Sequence, residues 1–125
     1  MISVIISTEE KWGEELAGTL SIDGCRIFRV QTLLQMVEYL YKYNIDIIVT
    51  GHTVEGVHIH KLLPILFRFF RDVKVIVYLN EYSPQLERTF RIAGVTYVAS
   101  NVDVRKELAG LINSFLIKER TLVAG

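Results

Sequence analysis

The residues best suited to chemistry crowd into the segment Gly51 to His60. It holds all three histidines, His52, His58 and His60, together with Glu55. His58-x-His60 would present two imidazoles on one side of an extended segment. A metal needs at least one more ligand, which His52, Glu55 or Glu81 could supply, but no cysteine is near. Exposed loop histidines whose charge follows pH are therefore the simpler expectation, with no metal site. Gly51 and Gly56 also have the G-x-x-x-x-G spacing of a phosphate loop. Val57 and His58 stand where such a loop needs Lys and Ser or Thr, so phosphate charge would go unneutralised. A plain strand-to-helix loop is expected instead. No serine has the G-x-S-x-G flanks of a nucleophile elbow, and no G-x-G-x-x-G dinucleotide fingerprint is present. The single cysteine, Cys25, opens a predicted strand and reads as a buried, inert thiol. One cysteine also excludes an internal disulfide framework.

These residues sit in a chain of 125, long enough for one domain with a closed core. Half the residues are hydrophobic and 22% are charged, which is not the composition of a disordered segment. Fourteen basic residues balance fourteen acidic ones. That balance argues against a nucleic-acid module, whose affinity rests on excess Lys and Arg. The opening MISVIIST lacks the basic region and cleavage motif of a signal peptide, and LLPILF at 62–67 is too short to span a membrane. A cytoplasmic domain with no membrane contact is expected. Residues 1–120 read as one domain and 121–125 as a tail or linker stub.

Apolar runs alternate with amphipathic stretches along the whole chain. Strands are predicted at Ser3–Ser7, Cys25–Val30, Ile45–Val49, Val73–Leu79 and Val95–Ala99. Between them, Trp12, Leu16 and Leu20 form one helical stripe, and Leu33, Met36, Val37 and Leu40 another. Ser7-x-x-Glu10 and Thr32-x-x-Gln35 have capping-box spacing. Leu62 to Phe70 reads as a third helix, with Pro64 in its first turn or kinking it. Ser83-Pro84 starts a fourth, which Gly94 ends. Val104, Leu108, Leu111, Ile112 and Phe115 stripe a fifth. Tyr39, Tyr41 and Tyr43 scatter around the second helix as surface and edge aromatics. Five βα units imply an α/β fold, an open parallel sheet wound on both faces. In such a sheet ligands sit at the carboxyl ends of the strands. The residues there are Ser7, Thr8 and Glu9; Gly51 and His52; Asn80 and Glu81; Ser100 and Asn101. The set is polar, small and mostly uncharged.

Several segments together resemble one family. SVIISTE, IDIIVTGHTVEG, KVIVYLNE and AGVTYV resemble the strand-end segments of response-regulator receiver domains, the CheY-like family of two-component signalling. The resemblance covers residues 2 to about 118 and implies a flavodoxin-like (βα)5 sheet of order 2-1-3-4-5. Laid on the receiver pattern, the paired acidic positions fall on Ser7 and Thr8. The phosphoacceptor position falls on Gly51 and the hydroxyl position on Asn80. The lysine position falls on Ser100 or Asn101. Glycine offers no nucleophile, hydroxyls are poor Mg²⁺ ligands, and no cation or threonine awaits the phosphoryl oxygens. The resemblance therefore implies a degenerate pseudo-receiver: no enzyme, no cofactor, no phosphorylation, acting through a protein partner or as a homodimer. Its contact face, by the same resemblance, is the fourth helix, fifth strand and fifth helix, with Arg88, Arg91, Tyr97, Arg105 and Lys106. Tyr97 matches the aromatic that rotates on receiver activation. The nearly all-round apolar third helix offers a second surface at Ile65 and Phe69, framed by Arg68 and Arg71. The alternative is a small-ligand or anion-binding domain, or small enzyme, using Ser7, Thr8, Asn80 and Ser100 with helix N-termini nearby.

Overall fold

The computed structural model describes residues 1–8, 10–100 and 106–115. Its main sheet contains β1 (Ser3–Ser7), β2 (Arg26–Arg29), β3 (Ile47–Gly51), β6 (Lys74–Tyr78) and β7 (Tyr97–Ala99). All four pairings are parallel, in the order β2-β1-β3-β6-β7. This is the predicted order 2-1-3-4-5, since two further short strands lie outside the sheet. Every residue of β1 is buried, and Ile47 to Thr50 of β3 likewise. Both central strands are covered on both faces, which explains their near-continuous apolar sequence.

Two apolar layers provide that cover. On one face lie α2 (Leu33–Lys42), α3 (Ile59–Phe69) and α4 (Pro84–Ala93), with Met36, Leu40, Leu63 and Phe90 in the core. On the other lie α1 (Lys11–Ile22) and the helix over 106–115, here α5, with Leu16, Leu20, Leu108 and Ile112. Each fully buried Leu or Ile contributes about 1.5–3 kcal/mol relative to exposure. Cys25 is buried in the second layer, as its apolar setting required.

Helix ends follow local chemistry. Thr32 and Ser83 cap α2 and α4 through Gln35 N–H (3.1 Å) and Leu86 N–H (3.3 Å). Gly94 closes α4 in the left-handed conformation, with φ 103°. The Ser7–Glu10 capping box does not form. Ser7 is the last residue of β1, α1 starts at Lys11, and Glu10 occupies the cap position without its side chain accepting from a backbone N–H of the helix.

The segment after β3 departs further from expectation. It is a hairpin of β4 (Thr53–Val54) and β5 (Val57–His58), paired antiparallel, and not a plain loop. Glu55 and Gly56 both take positive φ, 53° and 76°, as a two-residue turn of this hand demands. The hairpin feeds directly into α3, which begins three residues before the predicted Leu62. Pro64 thus lies inside the helix and not in its first turn. His60 belongs to α3 and is half-buried with its ring edge-on to Phe90 (5.8 Å), so it is no exposed loop histidine. Tyr39 and Tyr43, one turn apart, stack with Phe28 under the Arg26 guanidinium, while Tyr41 meets Phe70. Tyr39 and Tyr43 thus pack at the sheet edge while Tyr41 is exposed on another face of α2, the surface and edge aromatics that their spacing predicts.

Pro64 gives a test. It is exposed, and it withholds the N–H that would bond the His60 carbonyl. A proline in a helix interior costs about 3 kcal/mol, of which stiffening of the unfolded chain returns about 1. Pro64→Ala should therefore raise the unfolding free energy by about 2 kcal/mol in urea denaturation. A loss of stability would show that the ring holds a contact this account misses.

Candidate functional site

The sheet presents its carboxyl ends at Ser7, Gly51, Tyr78 and Ala99. They open on a hollow of about 390 Å³. Of the predicted strand-end residues, Ser7, Thr8, Gly51, His52 and Asn80 line it. Ser100 and Glu81 are exposed and do not. Glu9, Asn101 and Arg105 lie outside the described residues.

Residues the strand-end reading left out also line the hollow, among them Gln31, Tyr78 and Glu10. Gln31 follows β2, and the order β2-β1-β3 brings that strand end beside β1, so topology could have found it. Tyr78 is the last residue of β6, with its ring against Trp12 of α1 (5.0 Å).

Among the described residues two carboxylates, Glu10 and Glu55, face this region, and each already has a partner. Glu55 accepts from the Leu33 backbone N–H at 2.6 Å. That bond ties the hairpin turn to the first residue of α2, where a negative charge also meets the positive end of the helix dipole. Glu10 accepts from the Trp12 indole N–H. The backbone of Gly51 brings no side chain, and Ser7 and Thr8 bring hydroxyls. Such a surface can hydrogen-bond a neutral polar molecule. Among the described residues it lacks the convergent anionic oxygens that would offset the dehydration of Mg²⁺.

The histidines do not assemble. The rings of His58 and His60 lie 5.7 Å apart, and Nδ1 of His60 is buried without a hydrogen-bond partner. Among the described residues no group of three or more His, Cys, Asp or Glu could hold a metal ion.

On the face of α4, β7 and α5, Arg91 pairs with Glu87 at 2.9 Å. Glu87 also accepts from the Tyr82 hydroxyl at 2.8 Å. The Tyr82 and Arg91 bonds hold the Glu87 carboxyl below its ordinary 4.5. The contribution of this cluster to folding is present above that value and fades as pH falls through the lowered one. Arg88 and Lys106 are exposed. Half-buried Tyr97 donates its hydroxyl proton to Glu107 of α5 at 2.5 Å. That bond, with desolvation and the Glu107 charge, raises the Tyr97 phenol above its ordinary 10.0. Its contribution is complete below pH 10.0 and lost as pH climbs through the raised value.

Two measurements check this geometry. In a spectrophotometric titration Tyr97 should ionise later than an exposed tyrosine, and Glu107→Gln should bring it down; an unchanged titration would contradict the bond. Gly13 of α1 packs against Thr8 so tightly that an added Cβ would strike Thr8 Cγ2. Gly→Ala in a helix normally gains about 1 kcal/mol, whereas overpacking costs about 1–3. Gly13→Ala should therefore fail to stabilise the protein, yet stabilise a Thr8→Ser background that lacks the methyl. Equal effects in both backgrounds would refute the contact.

No protein-family model and no curated protein sequence matches the chain. Solved structures do. A response regulator from Thermotoga maritima aligns with a TM-score of 0.80 at 17% identity, over 91% of this chain and 96% of that one. A two-component response regulator from Clostridium difficile aligns at 0.83 and 12%, over 95% and 98%. An orphan response regulator of H. pylori aligns at 0.79 and 13%, over 90% and 94%. The chain has the fold of a response-regulator receiver domain, the CheY-like flavodoxin fold, across nearly its whole length.

Proposed function

We propose that the chain is a signalling module on the receiver fold that works by protein contact, with no aspartyl phosphorylation, no Mg²⁺ requirement and no catalysis. One observation carries this reading. The crevice at the ends of β1, β3 and β6 offers Ser7, Thr8, Gly51 and Asn80, and the carboxylates beside it, Glu10 and Glu55, are engaged by Trp12 and Leu33. Phosphoryl transfer to a protein carboxylate needs a nucleophilic oxygen held in line with the phosphorus and a cation to neutralise the moving charge. Glycine at the centre of the crevice supplies neither.

Without phosphate, any switching must come from a partner that prefers one conformation. The face formed by α4, β7 and α5 suits that role. Arg88, Arg91 and Lys106 give it a basic exterior, and the Tyr97–Glu107 bond holds its central tyrosine in place. No helix among the described residues is long and apolar enough to cross a membrane, in keeping with a module that finds its partner in the cytoplasm. Incubation with acetyl phosphate and Mg²⁺ tests the reading. The intact mass should stay unchanged; an added phosphoryl group lost on hydroxylamine treatment would overturn it.

A second reading draws on the hollow itself. Its volume of about 390 Å³ and its hydroxyl and amide lining fit a small neutral polar ligand. A thermal-shift screen of uncharged metabolites should then give a hit that Asn80→Ala and Ser7→Ala both abolish. Hits that survive both substitutions would dismiss this site.

A further inference from the structure

Outside the strand-end crevice and the α4–β7–α5 face, α2 and α3 carry the largest apolar side chains left uncovered side by side. On α2, Leu34, Val37 and Tyr41 are 68%, 44% and 70% exposed, and their spacing puts them on one stripe. On α3, Ile65 and Phe69 are 60% and 64% exposed, one turn apart. Phe67 occupies the opposite flank of α3, against Gly94 at the end of α4. Ile65 and Phe69 therefore lie on the flank toward α2. The contact between Tyr41 and Phe70, at 5.2 Å, joins the two helices at that junction. Five exposed apolar side chains across two adjacent helices exceed the scattered surface hydrophobes of an ordinary monomer.

Charge decides what covers them. Lys61 and Arg68 flank Ile65 on α3 at i−4 and i+3, and Arg71 follows the helix end. All three are exposed, and among the described residues none of them is ion-paired. Glu38 of α2 and Asp72 are exposed beside the same patch, but Lys42, Lys61, Arg68 and Arg71 outnumber them, so a second copy would set two net-positive faces together, which is unfavourable. An acidic partner would neutralise them.

We infer that the α2–α3 face docks an amphipathic helix of a partner protein, with apolar residues at i, i+3, i+4 and i+7 and acidic residues along its flank. The apolar stripe would lie over Leu34, Tyr41, Ile65 and Phe69, and the acidic flank against Lys61, Arg68 and Arg71. This extends the protein-contact reading to a second face, and it does not depend on the state of the strand-end crevice.

Two labelled synthetic helices of about five turns test it, both with the same leucine stripe, one flanked by Glu and one by Lys. Titrated into the full chain, the Glu-flanked peptide should raise fluorescence anisotropy, with amide shifts confined to residues 33–42 and 59–72. Phe69→Glu and Ile65→Glu should each weaken it about tenfold or more, because each puts a charge into the apolar contact. Arg68→Glu should weaken it and improve the Lys-flanked peptide. These positions are exposed, so circular dichroism of the variants should match the parent. Equal binding of both peptides, or of neither, overturns the proposal. So does self-association of the free chain that Ile65→Glu abolishes, which would assign the face to a second copy. Co-sedimentation with phosphatidylglycerol vesicles, lost in Phe69→Glu while the Glu-flanked peptide stays unbound, would assign it to a membrane and equally defeat the proposal. Acetyl phosphate labelling reports only on the crevice, so failure of either reading is visible without the other.

Discussion

Closure of both faces of the parallel sheet is the constraint from which the rest follows. β1 and β3 run through the middle with almost no exposed residue, sealed by α1 and α5 beneath and α2, α3 and α4 above. A backbone buried this way can bring polar groups to solvent only where the strands end. The register sets which residues those are: Ser7 lies beside Thr50, and Gly51 beside Tyr78. The chemistry open to this protein at that rim is therefore decided by a handful of positions immediately after β1, β3 and β6.

Those positions carry hydroxyls, an amide and a glycine, and among the described residues the two carboxylates beside them serve structure. Glu55 joins the β4–β5 turn to the start of α2, and Glu10 holds Trp12, which packs on Tyr78. The fold is that of receiver domains, while the crevice is furnished for hydrogen bonding. The opposite conclusion would need an anionic cluster, because a divalent ion surrenders water only to several hard oxygens at once.

Most of the architecture was legible because each strand is a short β-branched run and each helix has a periodic apolar stripe. Five βα units implied an open parallel sheet, and the resemblance to receiver domains supplied its strand order. Three expectations failed for physical reasons. The Ser7–Glu10 spacing matched a capping box, yet burial of β1 claimed Ser7 for the sheet. The β4–β5 hairpin was hidden because Glu-Gly replaces the usual Asn-Gly or Asp-Gly turn. Pro64 argued for a helix start, and tertiary packing of Ile59 in the core beside the sheet started it earlier. In the first and last cases long-range contact overrode a local signal, and in the hairpin the local signal was missing. At the candidate site, Ser7, Thr8, Gly51 and Asn80 were found by position after a strand. Glu10 and Gln31 were missed because their place depends on how α1 and β2 meet the crevice.

The account stands most directly on the absence of a divalent-ion site at the strand ends. Mn²⁺ titrated into ¹⁵N-labelled protein reads this through paramagnetic broadening of nearby amides. The amides of Ser7, Thr8, Gly51 and Asn80 should keep their intensity at Mn²⁺ concentrations that saturate ordinary receiver sites. Selective loss of those four signals, reversed by excess Mg²⁺, would contradict it.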